Sequence, residues 1–407
     1  FSATEVESVS GIRHIVTFKN LLPNTKYKYK VYNDAILSYD SLSFKTMPED
    51  SVDQFSFLIW GDSGTKNSDQ FSVASLINAQ ADSVDFAIHV GDVSQFSGEE
   101  YDEIYFQPYK RFVAHKNVFT AIGNHDTYHD NAVTYLNDFY YSLDTAVTER
   151  YYTFKWGNTF FINLDTNIDY KPNSPQYNFL ISALNSAERA QSFWTVVYFH
   201  HPPYCELWTG YPGELSVRTH LVPLFEKHKV DLVFNGHTHG YERGMLNGVT
   251  YIITGGGGGG LDDYARDFAH ITKSSAVHHY SKVMVNGNSI SFKATDKTGA
   301  TVDAFSLAKF PTKVDSEAEI DQHAKTQLNA FVNQERSAIT IVVKAPSEAN
   351  YSIKLFNTVG ELIDVIAEGY GGDLRLEKPL TNIASGIYII HLVRDDEVKS
   401  IKIAVVK

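Results

Sequence analysis

Five apolar runs in the middle of the chain each give way directly to carboxylate, amide or imidazole side chains, and this recurrence constrains the fold more than any other feature. The run 55–60 (FSFLIW) leads into Gly61-Asp62-Ser63-Gly64, and 86–90 (FAIHV) into Gly91-Asp92. The run 118–122 (VFTAI) leads into Gly123-Asn124-His125-Asp126, 194–199 (WTVVYF) into His200, and 231–235 (DLVFN) into Gly236-His237-Thr238-His239. Further strand-like runs occupy 159–164 and 250–254, and helical stretches fall near 69–80, 100–114, 175–190 and 215–229. Strands alternating with helices predict an α/β fold. Open α/β sheets bind ligands beyond the carboxyl ends of their strands. The glycine before four of these polar groups is expected to let the backbone turn sharply out of its strand.

The rest of the chain frames this region. Its 407 residues suggest two or three domains. A formal net charge of −13 argues against an electrostatic nucleic-acid or anionic-membrane binder. No run of 18 apolar residues occurs, so no transmembrane helix is expected. Cys205 is the single cysteine, which excludes an intrachain disulfide and a cysteine-based zinc site. Residues 1–50 alternate at period two (Ile12, His14, Val16, Phe18; Tyr27, Tyr29, Val31) about the turn Leu22-Pro23-Asn24-Thr25 and read as antiparallel strands. Residues 51–310 hold the α/β region, 311–330 read as a polar linker, and 331–407 as a small β-sandwich punctuated by glycines.

Carboxylate, amide oxygen and imidazole together suit a divalent metal such as Zn, Fe or Mn. Two such ions a few ångströms apart can clamp a phosphoryl group. Any one of these motifs alone is ordinary turn sequence; five in order at strand ends are not. The order Asp-x-Gly, Gly-Asp, Gly-Asn-His-Asp, Val-x-x-His and Gly-His-x-His resembles the calcineurin-like metallophosphoesterases. Within them, GHTHGYER and the run TGGGGG are similar to the purple acid phosphatases. The stretch HIVTFKNLLPNTKYKYKV resembles the last strands of a fibronectin type III domain, with Tyr27 or Tyr29 at a tyrosine corner. A whole domain of that kind takes about 100 residues, so only its end is expected here.

The resemblance implies a four-layer αββα sandwich with a dinuclear centre. It implies that Asp62 and His239 bind the first metal, that Asp92 bridges both, and that Asn124, His200 and His237 bind the second. A metal-bridging hydroxide would attack a phosphate monoester, His125 would assist the leaving group, and Asp126 would steady the His125 imidazole. Phosphodiester or nucleotide hydrolysis, or a non-catalytic metal-binding surface protein, are the alternatives. Purple members carry a tyrosinate where this chain has Gln95, and other relatives carry a histidine where it has Gly64. The expectation is therefore two divalent ions, no purple colour, weaker first-site affinity and a neutral to mildly alkaline optimum. The resemblance also implies that Tyr241, Glu242 and Arg243 help to frame the substrate pocket. Trp208 and Tyr211 stand near the site in sequence and are expected to form an aromatic rim favouring a larger organic substituent. His89, inside an apolar run, reads as core; His278 and His279 read as structural, and Cys205 as a structural thiol. Gly255–Gly260 lack the lysine and hydroxyl of a phosphate-cradling loop and are expected to pass close beneath the metals.

In the last block, SIKLFNTVGELI and SGIYIIHLVRDDEVKSIKIAVVK resemble the type A sorting domain of the Bacteroidetes type IX secretion system. That implies engagement of the secretion machinery and a secreted or cell-surface location. The alternative is a carbohydrate-binding sandwich, for which the stacking aromatics (Phe356, Tyr370, Tyr388) are few.

Overall fold

The computed structural model describes residues 2–9, 13–33, 36–96, 100–141, 149–263, 266–309, 326–333, 338–345, 349–357, 360–381, 383–394 and 397–405. Contacts divide the chain into two compact units, Phe1–Lys309 and Phe310–Lys407.

The first unit opens with β1 (Ser2–Val9), β2 (Arg13–Lys19), β3 (Lys26–Asn33) and β4 (Ile36–Lys45). Then follow β5 (Gln54–Trp60), α1 (Ser68–Ala79), β6 (Phe86–His89), a π-helical turn at Asp102–Phe106, α2 (Lys110–Val113) and β7 (Val118–Thr120). A 3-10 turn at His125–Thr127 precedes α3 (Val133–Asp138), β8 (Tyr152–Trp156), β9 (Thr159–Asn163), α4 (Pro175–Leu184), α5 (Ala187–Gln191) and β10 (Trp194–Tyr198). The unit ends with α6 (Leu215–His220), α7 (Val222–Lys227), β11 (Leu232–Asn235), β12 (Tyr241–Leu246), β13 (Val249–Thr254), β14 (Ile271–Ser275), β15 (His279–Asn286), β16 (Ser289–Asp296) and β17 (Thr301–Ala308).

Two mixed sheets result. One runs β17-β16-β15-β5-β6-β7, with β5, β6 and β7 parallel. The other runs β14-β12-β13-β11-β10-β9-β8, with β9, β10, β11 and β13 parallel. The period-two alternation of strand side chains assigns each residue to a layer. In β5, Phe57 and Ile59 face the second sheet, while Leu58 and Trp60 face α1 and α2 with Val73, Ile77 and Phe112. In the second sheet Phe161, Val196 and Phe234 face inward; Ile162, Val197 and Val233 pack on α4, α6 and α7 through Leu180, Val217 and Phe225. The order is helix, sheet, sheet, helix. Aromatic rings bridge the sheets, among them Phe86–Trp156 at 4.4 Å and Phe57–Phe161 edge-on at 5.6 Å. Such pairs add directional preference to burial.

Several elements differ from the sequence expectation. The helix expected over 100–114 is a π-helical turn and the single turn α2, separated by Pro108, which has no N–H to continue the ladder. The stretch 175–190 is two helices because Ser186 accepts from Arg189 N–H and starts α5 afresh. In the lead-in, β1 pairs with β2 and β3 with β4 as separate antiparallel pairs. Phe18 stacks on Phe44 across them at 5.8 Å, and the Tyr27 hydroxyl accepts from Leu22 N–H at 2.9 Å, a bond of the kind a tyrosine corner makes. These two pairs are what the described residues show of the fibronectin-like expectation.

The second unit has β18 (Gln327–Val332), β19 (Ala338–Lys344), β20 (Ala349–Asn357), β21 (Leu362–Gly371), β22 (Leu374–Pro379), β23 (Gly386–Arg394) and β24 (Glu397–Val405). They form the sheets β18-β19-β22 and β21-β20-β23-β24 over one core that includes Ile339, Ile341, Leu355 and Ile390. Most of the expected linker 311–330 lies outside the described residues, and its last four residues belong to β18. No described helix is long and apolar enough to cross a membrane.

Candidate metal centre

The carboxyl ends of β5, β6 and β7 in one sheet and of β10 and β11 in the other deliver the six expected ligands to one place. Asp62, Asp92 and His237 take the left-handed backbone conformation themselves, at φ of 58°, 51° and 68°. Non-glycine residues rarely occupy that region, at a cost of about 1–3 kcal/mol each. This corrects the expectation for the glycines. Of the four, only Gly91 has a positive φ, 95°. The others are glycine for want of space: a Cβ at Gly123 would stand 2.0 Å from Asp92 Oδ1, and one at Gly236 2.4 Å from Asp62 Oδ2.

Backbone bonds lock the turns together. Asp62 N–H donates to Gly91 O at 3.0 Å, Ser63 N–H to Asp92 O at 3.1 Å, and Gly259 N–H to Asp62 O at 2.9 Å. The Asp62 carboxylate accepts from His237 N–H at 2.9 Å, joining the two sheets. The glycine run passes beneath the cluster as expected; a Cβ at Gly259 would meet the His239 ring at 2.5 Å.

His200 is the centre of the site and fully buried. Its Nδ1 donates to Val90 O at 2.9 Å. Its Nε2 therefore faces Asn124 Oδ1 at 3.1 Å, Asp92 Oδ2 at 3.3 Å and Asp62 Oδ1 at 4.0 Å. Ligand atoms of Asp92, His200 and His237 all lie within 4.8 Å of one another. These are lone-pair-bearing atoms pointed at each other in a buried place. A second proton on His200 is one solution. Burial opposes it, but the Asp92 and Asp62 carboxylates push the His200 pKa up to about 9. A divalent cation solves the same problem for all the ligands together, so the donor set fits metal. Asp62 fits it too, since burial drives its pKa well above the ordinary carboxyl value unless a cation faces it. His239 completes the other side: its Nε2 is 3.6 Å from Asp62 Oδ1, and its Nδ1 is held by Gly260 O at 2.6 Å. An imidazole tethered at one nitrogen presents the other as a ligand.

His125 stands at the edge, its side chain 31% exposed and its Nε2 4.0 Å from Asp92 Oδ2. Asp126 does not do what the sequence reading assigned. Its buried carboxylate accepts from Val93 N–H (3.2 Å), Ser94 N–H (3.1 Å), Gly123 N–H (2.9 Å) and the Tyr101 hydroxyl (3.0 Å), whereas His125 Nδ1 has no partner among the described residues. Asp126 binds the loop after β6 to the loop after β7. Burial, then the charge of Asp92, press its pKa upward against those N–H donors.

The two departures have different physical standing. A Cβ at Gly64 would stand 2.2 Å from Val93 O, so no larger side chain fits there. Gln95 N–H donates to Gly64 O at 2.9 Å, and its buried side-chain nitrogen has no partner among the described residues.

Other residues sort clearly. His89 is buried, bonded through Nε2 to Ser63 Oγ at 3.0 Å, and kept neutral by burial, which lowers its pKa to about 3. His278 and His279 bond to Gly259 O and Thr254 Oγ1. Burial raises the Cys205 thiol to about 12, an inert value. Glu242 and Arg243 line a small crevice with Tyr204 and His270. Tyr241 and Arg243 bond to Asp303, and Glu242 accepts from Glu206 and Leu207 N–H. His201, the histidine next to His200 in sequence, has its ring 4.5 Å from that of His237. One neighbour was missed from the sequence: Tyr128, bonded to Asn124 at 2.7 Å, for which an aromatic one helical turn past Asn124 was the signal available.

Residues 55–241 match the family of calcineurin-like phosphoesterases. The chain is similar there to the calcineurin-like phosphoesterases. It is 28% identical over 320 residues to the "probable inactive purple acid phosphatase 1" of Arabidopsis thaliana, covering 63% of this chain and 50% of that protein. It is 27% identical over 263 residues to a purple acid phosphatase of Glycine max, covering 61% and 56%. The chain thus spans about half the length of these curated relatives. The structure of a purple acid phosphatase from yellow lupin seeds superposes with a TM-score of 0.65 at 20% identity, over 75% of this chain and 65% of that one. The metallophosphoesterase fold is like that of the purple acid phosphatases, with additional β-sheets at the C-terminal end.

Replacing Asp126 with asparagine leaves one oxygen for four donors and turns an NH2 toward them. The expected result is a stability loss of about 1–3 kcal/mol in chemical denaturation and roughly 10- to 100-fold weaker metal retention. Lost turnover with metal affinity intact would instead make Asp126 a catalytic group.

Proposed function

We propose that the metallophosphoesterase domain hydrolyses phosphate monoesters at a dinuclear metal centre. One observation carries the reading: Asp62, Asp92, Asn124, His200, His237 and His239 converge at the carboxyl ends of five strands, with Asp62, Asp92 and His200 fully buried among them. In this reading Asp62 and His239 hold one divalent ion, Asn124, His200 and His237 the other, and Asp92 both. When bound, the pair supplies Lewis acidity and lowers the pKa of a coordinated water to about 7. His125, at the exposed edge, is the imidazole left to hold a proton at Nε2 for the departing alcohol. Asp126 and Gly123 keep that loop in register.

Full-length protein prepared without chelators is expected to contain two divalent ions per chain. It should hydrolyse p-nitrophenyl phosphate faster than the bis ester, lose activity to EDTA and regain it with Mn²⁺ or Zn²⁺. It should be colourless, and turnover should rise through neutral pH as the water deprotonates. An intense visible band, or a maximum below about pH 5, contradicts the divalent centre. Faster cleavage of the bis ester assigns a diesterase. Tight metal binding without turnover assigns a non-catalytic metal-binding protein, the reading favoured by the name of the Arabidopsis relative.

Trp208 and Tyr211 support a preference for organic esters with a flat apolar group. Their rings lie 4.9 Å and 5.0 Å from the ring of His237. Benzyl and ethyl phosphate have similarly basic leaving alcohols, so their ratio of kcat/KM reports the wall. Trp208→Ala should lower the benzyl-to-ethyl ratio roughly 2- to 10-fold, the range of one aromatic contact. An unchanged ratio removes Trp208 from recognition.

The second unit is read as the sorting domain of an exported protein, which places the enzyme outside the cell or on its surface. Its separate core and the Gly386-Ile387-Tyr388 strand start support this. Mass spectrometry of the protein released by its native host should find this unit cleaved away; sugar binding by the full chain would favour the lectin-like alternative.

A further inference from the structure

Tyr128 takes no part in the chemistry above, yet it touches both functional residues of the loop after β7. Its hydroxyl accepts from Asn124 Nδ2 at 2.7 Å. Its ring lies 4.8 Å from the His125 imidazole, tilted by 55°. The intervening 3-10 turn, His125–Thr127, brings residue 128 back over residue 124. Tyr128 is 61% exposed, so burial of its ring does not explain where it sits.

The amide of Asn124 is the variable part of the ligand set. A carboxylate offers a lone pair whichever way it turns, and the imidazoles of His200 and His239 are fixed by their tethered Nδ1, whereas an amide offers oxygen on one side and two N–H donors on the other. Only the oxygen can face a cation. With Oδ1 inward, 3.1 Å from His200 Nε2, the NH2 group must point outward and needs an acceptor there. The Tyr128 hydroxyl is that acceptor.

We propose that Tyr128 is a positioning residue for the second metal. Its hydroxyl holds the Asn124 amide with oxygen toward the cluster, and its ring supports His125 at the edge. The inference rests on the reading that Asn124 is a metal ligand, and it does not require the protein to be catalytic.

The test uses Tyr128→Phe, Tyr128→Ala and, as control, Asn124→Ala in the full chain. Three quantities are read: Mn²⁺ retained per chain against a graded chelator, the thermal midpoint, and turnover of p-nitrophenyl phosphate. Tyr128→Phe removes one oxygen from an exposed residue. It is expected to weaken retention of one ion roughly 10-fold, to spare the other ion and the thermal midpoint, and to regain turnover with excess Mn²⁺. Tyr128→Ala should weaken retention equally and also lower kcat at saturating Mn²⁺, because His125 loses its support. Unchanged retention of both ions in Tyr128→Phe overturns the proposal, as does unchanged retention in Asn124→Ala. A wild-type protein that retains two ions but turns nothing over refutes the phosphatase reading alone, and the retention measurements still decide the role of Tyr128.

Discussion

The structure depends on solving one electrostatic problem. Asp62, Asp92 and His200 are all taken out of water at the same point, with oxygens and a nitrogen facing each other at 3.3–4.0 Å. Burying one such carboxylate is costly, and two beside each other more so. The scaffold holds them there by spending backbone conformation. Three ligands sit in the left-handed region, and their N–H and C=O groups are tied across from one turn to the next. A cation bound there would make the arrangement favourable, which is why the donor set fits a metal.

The two sheets are subordinate to this. Each supplies only part of the ligand set, and the interleaved rings of Phe57, Phe86, Trp156 and Phe161 fix the two strand edges against each other. The bond from His237 N–H to the Asp62 carboxylate then closes the gap between them. Distance from the reacting centre therefore does not make the aromatic layer irrelevant to chemistry: positions at the strand ends are set by packing far behind them.

The convergence of these six residues was legible because each is a polar residue shortly after an apolar run, a pattern that needs no knowledge of partners. Asp126 has the same sequence appearance as Asp92, but its role is decided by where Val93, Ser94 and Tyr101 lie, and no spacing rule reports that. The glycines were located correctly and misunderstood, because conformational freedom is a property of one residue and steric room is a property of its neighbours. Helix boundaries failed where Pro108 and Ser186 interrupt otherwise helical composition. In the second unit residues 327–330, the first four of the strand 327–332, were read as linker, since QLNAFV pairs as a strand only with β19 beside it.

The tight fit behind the ligands bears on how such a site can diversify. Gly64, Gly123, Gly236 and Gly259 each abut a neighbour so closely that a Cβ there would force it to shift, and at Gly123, Gly236 and Gly259 that neighbour is one of the converging side chains, so a change of size in the rear wall disturbs the site. The segment 204–214 in front carries Trp208 and Tyr211 and turns at Gly210, around which there is open space. New binding preferences at this site can arise by altering that outer segment, while the rear wall stays fixed by its own lack of volume.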